Sequence, residues 1–245
     1  MPRAYDKGSH SEQSLIEAPA VDAAFEANLP STGTAPTLVI ACGALARELL
    51  AVISLNRWSH LAVTCLPAAL HNRPEKITEA VRTKIRAARF KYQTILCLYG
   101  DCGTGGMLDA MLKEEGVERI AGAHCYAFYA GLDRFEQIAE VEIGTFYLTD
   151  YLARFFDRLV IEGLGLDRFP QLFSEYFGRY KRVVWLAQLP DADLTSKAQR
   201  AAERLGLPLE IQVTGLTGIA QFVSSKGTPA AKDRVDGAAH DTLLA

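Results

Sequence analysis

The 245-residue chain carries 26 Lys and Arg against 29 Asp and Glu, and its net charge of −3 excludes the basic footprint that a nucleic-acid backbone demands. Its apolar fraction of 49% and charged fraction of 22% are those of a packed globular protein, long enough for one substantial core. No apolar run approaches the about 18 residues of a membrane span, and the stretch before Thr37 lacks the apolar core of a signal peptide, so a cytoplasmic protein is expected, with neither nucleic acid nor membrane as partner.

Residues 1–36 mix Pro, Ser, Gly and charge and read as a flexible N-terminal segment; residues 224–245 read as a flexible tail. His10 and His240 fall in these ends and are expected to be surface histidines. Between them lies one predicted domain, residues 37–223. Thr37–Ala41 is a short buried strand, followed by an Ala- and Leu-rich helix over 44–53. Leu61–Leu66 is a second strand, ended by Pro67. Asn72-Arg73-Pro74-Glu75 reads as a helix start, with Asn72 as cap and Glu75 closing a capping box, and the helix runs to about Ala88.

Thr94–Tyr99 is a third strand, broken by Gly100 and the glycine-rich turn to Gly106, after which 107–113 has helical spacing. Arg119–Ile120 begins a short fourth strand. Leu148, Tyr151, Leu152, Phe155 and Leu159 fall on one face of a predicted helix over 146–161 that Thr145 would cap, with Tyr147, Tyr151 and Phe155 as core residues. Arg182–Leu186 is a strand, 194–205 a helix stopped by Gly206, and 209–213 a last strand. Strands separated by helices imply an α/β fold, a mainly parallel sheet with helices on both faces.

In such sheets ligands sit at the carboxyl ends of the strands. Cys42 ends the first strand, His71 follows the second, Cys102 follows the third and His124-Cys125 follow the fourth; Gln188 ends the next. Five cysteines with no export signal argue for free thiols or metal ligands rather than disulfides. Cys65 and Cys97 lie inside strands and are expected to pack as small hydrophobes. Cys42, Cys102 and Cys125 are the candidate metal ligands, for zinc or an iron–sulfur cluster, with His71 or His124 as fourth ligand or proton-transfer group. Of the adjacent His124 and Cys125, Cys125 is favoured as ligand. The turn around Cys102 favours a thiolate, through its glycines and the helix dipole that follows. A phosphate cradle is the competing reading, but no lysine or GxGxxG spacing supports it. Asp101 and Asp109 are candidates for orienting or anchoring roles, and Glu142 for bringing a carboxylate to the site.

The strings Cys42-Gly43-Ala44-Leu45-Ala46-Arg47-Glu48, Leu66-Pro67 through His71-Asn72-Arg73-Pro74-Glu75, Tyr99-Gly100-Asp101-Cys102-Gly103, His124-Cys125-Tyr126, Gly144-Thr145-Phe146-Tyr147-Leu148-Thr149-Asp150 and Leu186-Ala187-Gln188 resemble the uncharacterised family called domain of unknown function 1638, over roughly residues 37–223. Members of that family are often encoded beside corrinoid-dependent methyltransferases for methylamines and betaines. The resemblance therefore implies a role in one-carbon metabolism, with a small-molecule substrate or corrinoid methyltransferase components as partners. It supplies no catalytic residue. Two functions stand: a metal-binding protein acting as an enzyme in methyl-group metabolism, or a non-catalytic accessory or chaperone-like protein for a metal, corrinoid or methyltransferase partner. A metal-free redox thiol protein is a weaker third, since no Cys-x-x-Cys occurs.

Overall fold

The computed structural model describes residues 35–227 apart from Ala121 and Ala123, and the side chains as far as Ser224. Apart from Ala35, Pro36 and residues 224–227, the two expected flexible ends lie outside the described residues, as do His10 and His240. Residues 224–227 depart from the expectation, because they continue the last helix rather than begin a tail.

β1 (Thr37–Cys42) is buried at every position, so its unbroken TLVIAC run reflects a strand covered on both faces. α1 (Ala46–Asn56) follows a 3-10 turn and stops at Arg57, whose φ of 54° ends the helix in a left-handed cap. β2 (Leu61–Leu66) pairs in parallel with β1 on one side, and β3 (Thr94–Leu98) pairs in parallel with it on the other. α2 (Ile77–Ala88) and α3 (Met107–Glu115) make the crossovers, and β4 (Glu118–Arg119) completes the sheet order β2-β1-β3-β4.

The remaining strands do not extend that sheet. β5 (Thr145–Thr149), β6 (Arg182–Ala187) and β7 (Leu209–Val213) form a second parallel sheet in sequential order, with its own core around Trp185 and Leu148. Between the sheets run α4 (Tyr126–Ala130) and α5 (Leu132–Val141). The expected α/β architecture with parallel strands and surrounding helices holds, although the strands divide between two sheets.

Two local expectations are corrected. The segment 145–149 is a strand, and α6 (Asp150–Arg154) begins only afterwards, where the Thr149 hydroxyl accepts from the Leu152 amide at 3.2 Å. Thr145, Phe146, Tyr147 and Thr149 are β-branched or aromatic, and pairing with Arg182–Leu186 of β6 decides for the strand over the helical spacing. Past Phe155 the chain winds into a π-helical turn, Asp157–Glu162. Asn72 does not cap a helix either. It ends a 3-10 turn, Ala68–Asn72; Arg73 (φ −144°, ψ 64°) leaves the helical region, which a following proline disfavours, and a second turn, Pro74–Lys76, leads into α2.

α7 (Phe173–Phe177) precedes β6. α8 (Ala192–Leu205) is capped by Asp191, whose carboxylate accepts from the Leu194 amide at 2.7 Å, and ends at Gly206 in a left-handed conformation. α9 (Thr217–Gly227) leaves the second sheet and returns to the first, where Ile219 and Val223 enter the core beneath α1 and α4. The single domain thus has two sheets joined by shared helices. Among the described residues no helix is long and apolar enough to cross a membrane.

The return of α9 depends on Gly218, where an added Cβ would lie 2.0 Å from the Phe128 carbonyl of α4. Gly218→Ala should therefore cost about 1–3 kcal/mol in urea denaturation, the range for forced overpacking, and an unchanged midpoint would refute this packing.

Candidate metal centre

Each strand of the first sheet delivers one sulfur or imidazole to its carboxyl edge. Cys42 ends β1, and its sulfur accepts from the Ala44 amide at 3.4 Å, so the thiol caps the turn that follows. His71 sits in the 3-10 turn after β2, where its Nδ1 comes within 3.6 Å of the Cys42 sulfur.

The turn after β3 is held by Asp101. Its carboxylate accepts from the Thr104 hydroxyl at 2.6 Å and from the Gly105 and Gly106 amides at 3.1 and 2.8 Å. These contacts hold its carboxyl below the usual carboxylate range, the Thr104 hydrogen bond being the largest cause. The orienting role considered for Asp101 is met, and amides that a phosphate cradle would need are already occupied. Cys102 adopts a positive φ of 48°, an uncommon conformation for a side-chain-bearing residue and one that concentrates at functional sites.

Cys125 arrives through a close backbone approach. A Cβ on Gly100 would stand 3.0 Å from the His124 carbonyl carbon and 3.1 Å from the Cys125 nitrogen, so any larger residue would press the 124–125 segment away from the end of β3. The segment is tied further back by Arg119, which pairs with Asp109 and donates to the Ile120 and Gly122 carbonyls at 2.8 and 3.1 Å. Asp109 is thus an anchor. Arg119 was not legible as one, because its partners are brought to it only by α3 and by the loop beyond β4.

The ligand atoms of His71, Cys102 and Cys125 all lie within 4.8 Å of one another, a group that could hold a metal ion. Cys42 stands beside it, against His71. Where the sequence suggested three thiolates with a histidine as fourth partner, the closest set is two thiols and the His71 imidazole. His124 is exposed and outside the group, and Glu142 is engaged elsewhere, with the Gly144 amide and Lys181 at 2.9 and 3.2 Å. Gln188 belongs to the second sheet.

The charges are coupled. Cys42 first, and hydrogen bonds to Cys102 and Cys42 with it, hold the His71 imidazole protonated well above its ordinary range despite burial. The Cys102 thiol is pulled down, first by a hydrogen bond from Cys125 and then by His71, while Cys125 is pushed up by Cys102 and by burial. A thiolate, a neutral thiol and an imidazolium therefore share the space. Cys65 and Cys97 differ: burial pushes each up to about 12, leaving inert thiols within the strands, as their apolar surroundings suggested.

Buried polar groups surround the site. Among the described residues the buried Tyr99 hydroxyl, just past β3, has no partner but the Cys42 sulfur, and burial and then Cys42 raise its titration. Tyr129 donates to the Ala44 carbonyl at 3.1 Å and lies within electrostatic reach of Cys42, Cys125, Glu48 and Asp150. Asp150 opens α6 at the second sheet's carboxyl edge, accepting from the Trp185 indole at 2.9 Å and the Gln188 and Leu189 amides at 3.2 and 2.8 Å. Glu48, on α1, is 2% exposed with one carboxyl oxygen unpartnered, and burial, with Asp150 nearby, pushes it up to about 7. Sequence reasoning missed Glu48 and Asp150 as buried groups, although both stand in strings that carried the family resemblance.

The family described as "Protein of unknown function (DUF1638)" matches residues 65–223, more than half of the chain, and the chain belongs to that family. No curated protein and no solved structure matches it.

Glu48 makes stability depend on pH. Its carboxyl titrates near 7 in the fold against an ordinary value of 4.5, so the neutral form favours folding: this contribution is complete below about pH 4.5 and is lost as pH rises through 7. Glu48→Gln, neutral throughout, should match the native chain near pH 4.5 and exceed it by about 3 kcal/mol near pH 8. Parallel stability curves in urea denaturation would show that the charge is compensated.

Proposed function

We propose that this member of the DUF1638 family is a metal-centre protein in which His71, Cys102 and Cys125 hold the ion and Cys42 occupies or guards the remaining position. The observation that carries this reading is the convergence of the three donors within 4.8 Å. Zinc–sulfur bonds are about 2.3 Å, so tetrahedral ligands stand about 3.8 Å apart, and the site needs to contract by only about 1 Å around an ion. Donors on separate irons of a cluster would stand further apart than donors on one ion. The spacing therefore favours zinc over the iron–sulfur alternative.

The donor set fits electrostatically. A cation replaces the protons that Cys125 and His71 retain without it, and removes the conflict between thiolate charge and burial. The buried Tyr99 hydroxyl has the Cys42 sulfur beside it, and a thiolate there would be a stronger acceptor for it than a thiol. Among the described residues all five cysteines are free thiols, in keeping with a reducing, cytoplasmic setting.

Two protein thiolates and one imidazole make the Cys2His set of catalytic zinc sites, whose fourth position takes substrate. A zinc ion so held supplies Lewis acidity, keeping a substrate thiol deprotonated and nucleophilic at neutral pH. Cys102 and Cys125 would fix the centre at the sheet edge, and Cys42 with His71 would govern access to it. This suits an enzyme of corrinoid-linked one-carbon metabolism, acting on a small methylated substrate or with methyltransferase components. The alternative is an accessory protein that holds a metal, a corrinoid or a methyltransferase partner, and Cys42 as a fourth ligand would favour it, since a closed Cys3His site leaves no position for substrate.

Elemental analysis after anaerobic purification tests the centre. Cys102→Ser and Cys125→Ser should each lower bound metal about tenfold or more, Cys42→Ser should lower it less, and Cys65→Ser and Cys97→Ser should leave it unchanged. Equal metal in all five variants would overturn the assignment. Turnover of methylated amines or thiols by the metal-loaded protein, lost in Cys102→Ser, decides for the enzyme; full metal loading without turnover decides for the accessory role.

A further inference from the structure

A groove of 630 Å³ runs between α6 with its π-helical turn and α8, apart from the metal centre. Its walls carry Arg154, Arg158, Lys197, Arg200 and Arg204. Against these stand the carboxylates of Asp157, Glu162 and Glu203, which leaves the groove positive in a chain whose net charge is −3. Lys197 pairs with Asp193 at 2.6 Å and Arg204 with Asp157 at 3.8 Å. Arg158 lies over the Phe155 ring at 4.5 Å, which fixes the plane of its guanidinium.

Arg154 is the exception. It is the half-buried last residue of α6, and among the described residues its buried Nε has no hydrogen-bond partner. A guanidinium cannot shed its charge in a protein, and a buried donor left unpaired is costly, so this group calls for an acceptor. The neighbouring Glu48, within electrostatic reach, does not supply one, since its own Oε2 is likewise buried without a partner among the described residues.

We propose that the groove binds a small polyanion bearing phosphate or carboxylate groups, with Arg154 and Arg200 as the donors in its walls. The volume matches a small ligand, and guanidinium forks pair bidentately with either group. The carboxylates in the walls and the negative net charge select against long polyanions. The π-helical turn forms part of the wall, and such turns recur at binding sites.

Calorimetric titration of the full chain with inorganic pyrophosphate, and separately with citrate, at neutral pH and about 0.15 M salt tests the site and tells the two anion chemistries apart. A dissociation constant below about 1 mM is expected for at least one of them, weakened about fivefold or more in Arg200→Gln and abolished in Arg154→Gln. Arg200 is exposed, so its substitution leaves folding intact should Arg154→Gln unfold the chain. The proposal is overturned if neither anion binds below about 1 mM, or if Arg200→Gln binds as tightly as the native chain, since the anion would then sit elsewhere, the metal centre included.

Discussion

Parallel pairing of β1 with β2 on one side and β3 on the other is the constraint from which the rest of the molecule follows. A parallel strand must be re-entered from its own amino end, so every strand of the sheet sends its carboxyl end, and the turn after it, to the same edge. The chain steps from β1 to β2 and then crosses back to β3, which opens a crevice at the point of reversal. His71, Cys42, Cys102 and Cys125 follow the four strands in spatial order across that edge. Their convergence is a property of topology first and of side chains second.

What the edge gathers is electrostatically uncomfortable without a cation. Thiols in a half-buried space either keep their protons or repel one another, and the coupled shifts of His71, Cys102 and Cys125 express that compromise. The fold accepts the strain in order to hold the group. Cys102 sits at positive φ, Asp101 is spent on bracing its turn, and Gly100 gives up a side chain so that the Cys125 segment can close in. Arg119 and Asp109 then pin the loop from outside. Such support around two cysteines goes beyond what packing two small hydrophobes requires.

The second sheet meets this arrangement through shared helices. Tyr129 joins α4 to the turn after Cys42, α6 abuts that same turn, and α9 returns to close the first core. Asp150 and Glu48 lie where these parts meet, the first accepting from the Trp185 indole and the Gln188 and Leu189 amides, the second pushed up to about 7 by burial. Arg154 lies between this seam and the basic groove, within electrostatic reach of Glu48.

Much of this was legible in residue order alone. Buried parallel strands announce themselves as short apolar runs, and the runs at 37–41, 61–66, 94–99, 182–186 and 209–213 all became strands. The turns that carry chemistry could be named too, because position relative to a strand end is local information, and the inert character of Cys65 and Cys97 followed from their place inside strands. Local periodicity misled at 145–149, where apolar spacing suited a helix and cross-strand pairing with β6 decided otherwise. Residue order alone implied an α/β chain with thiols and imidazoles at its strand ends. Three-dimensional packing was needed to bring His71 into the group while His124 stays exposed, to divide the strands between two sheets, and to leave, among the described residues, one Glu48 oxygen and the Arg154 Nε buried without partners. Those outcomes depend on contacts between segments far apart in the chain, such as the approach of residues 124–125 to Gly100, which no local pattern encodes.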